Sequence, residues 1–281
     1  MTDVRSADEL IRVRLDIAYD GTAFSGWAKQ PALRTVQGVL EDALRTIYER
    51  QGAAPTLVVA GRTDAGVHAL GQVAHLDLTP SQARRQAPES LMRRLNGILG
   101  SGSDVVVSLS ERAKPHFDAR FSATWRRYEY RLADAGSTRN PLVRHFTAST
   151  NSALDVATMH EVGRHLIGLR DFASFCKPRE GATTIRTLQD FSWRRDDDGV
   201  LVASLQADAF CHSMVRALVG ATVAAGEGRF DGAALLSLSD AVERTSAFKV
   251  MPAKGLTLLE VGYPHASEFD SRATQTRARR A

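Results

Sequence analysis

The chain has 281 residues, 43% hydrophobic and 24% charged, proportions that suit one large or two modest globular domains and exclude a disordered or collagen-like protein. A formal net charge of +4 and a pI near 9.3 permit an acidic partner such as nucleic acid without requiring one. Lysine is confined to Lys29, Lys114, Lys177, Lys249 and Lys254, so nearly all positive charge is arginine. Its planar fork suits phosphates and base edges, although a bias toward arginine codons gives the same composition. Cys176 and Cys211 lie far apart and form no C-x-x-C, so neither a disulfide framework nor a zinc knuckle is expected. The N-terminal stretch carries acids and lacks an apolar core, and no run approaches the roughly 18 apolar residues of a membrane span. A cytoplasmic protein is expected.

In chain order, Val13 to Tyr19 alternates as a strand and ends at the turn signal Asp20-Gly21. Thr35 can cap a helix whose Val36, Val39, Leu40, Ala43, Leu44, Ile47 and Tyr48 follow helical spacing. Leu57 to Ala60 reads as a buried strand, Gln72 to Leu78 as another, Glu89 to Leu99 as a helix and Val105 to Leu109 as a strand. The second half has a similar order. A strand from Thr124 to Leu132 precedes a helix from about Ala153 to Ile167, then strands at Leu188 to Arg194 and Val200 to Phe210. Helices at His212 to Ala225 and Asp231 to Arg244 and a last strand at Leu256 to Val261 complete it. Without strict βαβ alternation, and with Asp196 to Gly199 as a hairpin tip, the expectation is an α+β fold with a largely antiparallel sheet. Two related lobes are expected, residues 1–115 and 116–265, followed by a disordered basic tail over 266–281.

Several chemistries lack their motifs. There is no phosphate-binding P-loop and no dinucleotide fingerprint after a strand. His160 and His165 are five apart on a helix, about 140° round the axis, and cannot aim at one metal ion. No G-x-S-x-G elbow is present. Carboxylates, arginines and aromatics remain, in three constellations.

Gly61 and Gly66 flank Arg62-Thr63-Asp64-Ala65 just after an apolar run, a backbone free to turn sharply beside a ligand. Asp64 there can serve as nucleophile or base, and Arg62 can hold a phosphate or fill the space of a displaced base; an Asx-turn with a solvated arginine fits the same spacing. In ARFSATWRRYEYRL, Ala119 to Leu132, alternation sets Tyr128, Tyr130 and Leu132 on one face and Trp125, Arg127, Glu129 and Arg131 on the other. Such interleaving suits base stacking and phosphate contact, and equally an ordinary amphipathic strand. In AFCHSMVRALVGATVAAG, Ala209 to Gly226, Arg216 lies about 130° from the centre of the apolar stripe, in the first turns of the helix, where it can meet a carboxylate or phosphate or remain solvated.

Together with YDGTAFSGWAKQ (Tyr19 to Gln30), GRTDAGVHA, GQVAHLD and PAKGLTLLEVGYP (Pro252 to Pro264), these blocks resemble the tRNA pseudouridine synthase A family, in its order and nearly through the whole chain. The resemblance implies the pseudouridine synthase fold, two α+β lobes sharing a sheet around a central RNA-binding cleft. It implies an isomerase that needs no cofactor and acts on uridines 38, 39 and 40 of the tRNA anticodon arm as a homodimer. Asp64 matches the essential aspartate, Tyr128 the active-site tyrosine and Arg216 the basic partner of the aspartate. Arg62 matches an arginine associated with base flipping, and Leu256 an apolar residue beneath the uracil. An ion pair with Arg216 would favour the ionised form of Asp64. Ala28 and Trp125 depart from residues common in the family, and the basic tail is outside its pattern. A synthase for another RNA position, or a catalytically silent tRNA-binding protein, would share the scaffold.

Overall fold

A computed structural model describes residues 10–179, 181 and 183–278. Strand β1 (Ile11–Tyr19) is followed by helix α1 (Val36–Tyr48), capped by Thr35, whose hydroxyl accepts from the Gly38 amide. Strand β2 (Val58–Val59), strand β3 (His68–Leu78), helix α2 (Pro80–Arg85), helix α3 (Leu91–Leu99) and strand β4 (Val105–Arg112) complete the N-terminal half. Strand β5 (Trp125–Ala133), strand β6 (Ala148–Ser149), helix α4 (Val156–Arg164), strand β7 (Gly168–Asp171), strand β8 (Ile185–Arg195) and strand β9 (Leu201–Ala207) come next. Helix α5 (Met214–Gly226), helix α6 (Gly232–Asp240), strand β10 (Leu256–Gly262) and helix α7 (Phe269–Ala278) end the described chain. The α+β expectation, with a mostly antiparallel sheet, therefore holds.

One sheet runs in the order β4-β1-β3-β10-β5-β9-β8-β7, with β2 on β3 and β6 on β5. Its centre decides where function can sit. Strand β10 pairs along β5 from Leu256↔Tyr130 to Gly262↔Trp125, but joins β3 in parallel through Thr257↔His68 and Leu258↔Ala69. Further along the same flank of β3, β2 pairs with Ala74 and His75. The expected strand from Leu57 to Ala60 is accordingly cut to two residues: β2 shares one flank of β3 with β10, and the chain leaves the sheet at Ala60. The loop between β2 and β3 thus opens beside the seam between the N-terminal and C-terminal strands.

On β5, Arg126, Tyr128, Tyr130 and Leu132 are buried while Trp125, Arg127, Glu129 and Arg131 are half-buried, the alternation expected of the tyrosines. Helix α5 is buried nearly all round, not along one stripe; Arg216 is its only charged residue. Its first helical residue is Met214 instead of His212, because Ser213 takes a left-handed conformation, φ 65°, that breaks the helix there.

The C-terminal segment differs from the expected disorder. Residues 269–278 form α7, and the described part of the tail is anchored: Phe269 is buried with its ring centroid 5.4 Å from that of Phe117, Ala273 is buried, and the Arg272 guanidinium donates to the Ala123 carbonyl. Two apolar contacts one helical turn apart supply what composition alone conceals. The last residues of the expected tail, 279–281, lie outside the described residues. The cysteines also depart from expectation, for the fold brings Cys176 and Cys211 together as a disulfide with Cα atoms 5.8 Å apart. His160 is a packing residue, its Nδ1 accepting from the Trp193 amide.

Truncating Phe269 to Ala should lower the unfolding free energy by about 3 kcal/mol, read by urea denaturation; an unchanged midpoint would mean that α7 adds nothing to the fold. His75 yields a pH prediction. Buried on β3, its Nδ1 accepts from the Ala119 amide, and burial first, then the nearby Arg12 charge, depress its pKa from 6.5 to about 4. Below pH 6.5 the unfolded chain takes up a proton that the folded chain refuses, so stability falls as pH drops from 6.5 toward 4, by at most about 1.4 kcal/mol per pH unit. His75→Asn should flatten that slope in urea titrations run across this interval.

Candidate active site

The loop from Ala60 to Val67 carries Asp64, and its backbone is gripped from several sides. Gln72, fully buried on β3, donates from Nε2 to the Gly61 carbonyl at 2.9 Å and to the Tyr19 hydroxyl at 3.3 Å. Tyr19 shares a 2.7 Å hydrogen bond with the Thr63 hydroxyl, and burial pushes its phenol up to about 12, so it is neutral. The Trp27 amide donates to the Thr63 carbonyl and the Gly66 amide to the Phe24 carbonyl. These contacts explain the YDGTAFSGW block as a buttress. Gly26, at φ 92°, lies so close that a Cβ would stand 2.9 Å from the Thr63 oxygen.

Opposite this loop is the start of α5. Asp64, with 31% of its side chain exposed, meets three groups there. Arg216 Nη1 is 3.5 Å from Asp64 Oδ2, the Ser213 hydroxyl donates to Oδ2 at 3.4 Å, and His212 Nε2 is 3.5 Å from Oδ1. The Arg216 side chain is held in place by its Nε, which donates to the Met251 carbonyl at 2.6 Å. The Ser213 side chain makes no capping bond to its own helix and turns to Asp64 instead, from the left-handed backbone already noted. His212 and Ser213 were not singled out from the sequence. Their spacing three and four residues before Arg216, which on a helix puts them on its face, was the available signal.

Tyr128 stands across the seam. Its residue pairs in register with Leu258, which in turn pairs with Ala69, five residues beyond Asp64. Its ring meets Phe210 edge-on, with centroids 5.2 Å apart, and its hydroxyl has no hydrogen-bond partner among the described residues. Burial pushes the phenol above its ordinary value, which keeps it protonated at neutral pH. Arg62 is exposed and makes no side-chain hydrogen bond or ion pair among the described residues. Leu256 is buried at the start of β10, opposite Tyr130. The structure thus brings Asp64 and Arg216 into contact, sets Tyr128 in the same row of the seam, leaves Arg62 at the surface beside Asp64, and sends Leu256 into the core two residues from the pair partner of Tyr128. Among the described residues no cluster of His, Cys, Asp or Glu has the makings of a metal site.

The arrangement has a fixed carboxylate whose neighbours are one cation, one hydroxyl and one imidazole, next to an aromatic face. It can act on an electrophilic carbon or remove a proton. Gln72→Leu removes both donors of the amide while keeping the apolar bulk; it should cost about 1 to 3 kcal/mol by orphaning the Gly61 carbonyl, measured by chemical denaturation.

Comparison with known proteins shows the family to which the chain belongs. The sequence profile of a family described as "tRNA pseudouridine synthase" matches residues 17–122 and 163–264. A Leifsonia xyli protein named tRNA pseudouridine synthase A is 59% identical, covering 97% of this chain and 99% of its own length. Proteins of the same name from Cutibacterium acnes and Streptomyces avermitilis are 51% and 50% identical, covering 97% and 96% of this chain and 96% and 94% of their own. No helix among the described residues is long and apolar enough to cross a membrane. With the blocks that frame Asp64 lying inside the matched segments, and with full-length identity of this order, the chain belongs to the tRNA pseudouridine synthase A family and is an isomerase.

Proposed function

We propose that this isomerase converts uridines 38, 39 and 40 in the anticodon arm of tRNA to pseudouridine, in the cytosol and as a homodimer, with Asp64 as the reacting group. The observation that carries the assignment is the meeting of Asp64 with Arg216 across 152 residues of chain, with Tyr128 in the same row of the seam.

The reaction breaks the N1 to C1′ bond, with the bonding pair leaving on uracil N1. The base turns, C5 bonds to C1′, the proton on C5 departs to solvent and N1 takes one up from solvent, so atoms and charge balance without a redox partner. Asp64 serves this in either of two ways. As a nucleophile its carboxylate bonds C1′ and is displaced by C5; as a base it takes the 2′ proton to form a glycal and returns it. Both require an ionised acid, and the Arg216 guanidinium lies 3.5 Å from it.

Tyr128 offers the uracil a ring face and a neutral hydroxyl; its raised pKa argues against a phenolate base. Arg62, exposed next to Asp64, is free to enter the RNA as the target base swings out. Leu256 contributes to the apolar floor from the buried start of β10. The arginine-rich surface suits reading of phosphates and shape, so uridines in different sequence surroundings can be accepted.

The test is tritium release from tRNA transcripts labelled at uracil C5. Wild type should release the label, while Asp64→Asn should release almost none and hold tRNA within tenfold of the wild-type affinity. Equal loss of release and of binding would make Asp64 a structural or RNA-contacting residue.

A further inference from the structure

Arg126 is a buried charge that the chemistry above does not use. It lies two residues before Tyr128 on the same face of β5 and is 7% exposed. Its Nη1 donates to the Asp208 carbonyl at 2.7 Å, and its Nη2 to the Ala60 carbonyl at 2.9 Å, with a longer contact to the Arg120 carbonyl at 3.4 Å. No carboxylate accepts from it among the described residues. The carboxylate of Asp208 is engaged elsewhere, accepting from the amides of Thr187 and Ala209. Burial depresses the guanidinium pKa, the nearby charge of Asp208 notwithstanding.

The two short bonds go to the roots of the two segments that must meet. Ala60 is four residues before Asp64, and Asp208 four before His212, in the stretch leading to Ser213 and Arg216. Neither root bonds directly to the other. The fork of one side chain spans them, a task that a planar guanidinium performs and a point-like ammonium cannot. For stability alone, an apolar side chain of similar volume often serves as well as a buried charge.

We propose that Arg126 is a positioning residue that sets the distance between the Asp64 loop and the Arg216 helix by clamping the Ala60 and Asp208 carbonyls. The proposal rests on the reading of Asp64 and Arg216 as the reacting pair.

The test uses the full chain with Arg126→Lys and Arg126→Ala, beside wild type and Asp64→Asn. Hydrogen exchange of segments 60–67 and 208–213 reads the clamp without the reaction, and both should exchange at least tenfold faster in Arg126→Lys. Its single-turnover tritium release should fall tenfold to a hundredfold, with tRNA affinity within threefold of wild type. Millimolar methylguanidinium should restore release by Arg126→Ala at least tenfold, whereas methylammonium should not. Unchanged exchange in both segments of Arg126→Lys, or a wild-type release rate, overturns the clamp, as does a fall in release matched by an equal fall in affinity. Equal rescue by methylammonium would reduce the role to charge and also overturn it. Should Arg126→Ala fail to fold, Arg126→Lys decides the matter by exchange and rate. If wild type and Asp64→Asn release label equally, the reading of Asp64 fails, and the exchange result still decides the clamp.

Discussion

The two residue pairs that join β10 to β3 in parallel, Thr257↔His68 and Leu258↔Ala69, are the constraint on which the site depends. Strand β10 comes from the end of the chain and β3 from its first third, yet each must be in register with the other before the loop of Asp64 and the ring of Tyr128 can share a row. A parallel pair cannot be made by a hairpin and needs a long crossover. Here the crossover is most of the chain, which is why residues so distant in sequence meet at one seam.

Around this seam the loop of Asp64 is made rigid by neutral, buried hydrogen bonds. Gln72 and the Trp27 amide satisfy the Gly61 and Thr63 carbonyls, Tyr19 meets the Thr63 hydroxyl, and the Gly66 amide donates to the Phe24 carbonyl, which ties the loop to the core beside it. The charged contacts differ in kind. Arg216, His212 and Ser213 approach Asp64 at 3.4 to 3.5 Å, looser than the bonds that hold the backbone. A carboxylate so held keeps part of its surface open, with 31% of the side chain exposed.

Local elements with strong periodicity were legible in the chain itself. Helix α1 starts at the residue after Thr35, and the alternation of Tyr128, Tyr130 and Leu132 is that of a strand buried on one face. Readings failed where distant partners decide. Strand β2 is two residues long because β10 occupies part of its neighbour's flank. Ser213 stops α5 from reaching His212, a conformation without a mark in residue type. Segment 269–278 folds as a helix because Phe117 and Ala123, more than a hundred positions earlier, receive it.

The sequence by itself determined the secondary structure pattern, the mixed α+β class and, through six ordered blocks, the family. These depend on side-chain spacing and on residue types whose chemistry is local. Tertiary structure alone decided that His212 and Ser213 face Asp64, that Cys176 meets Cys211, and that Arg126 lies buried among three carbonyls. A helical or strand period says which side of an element a residue occupies. It cannot say which distant backbone that side will meet, because the meeting depends on register and crossover across the whole sheet.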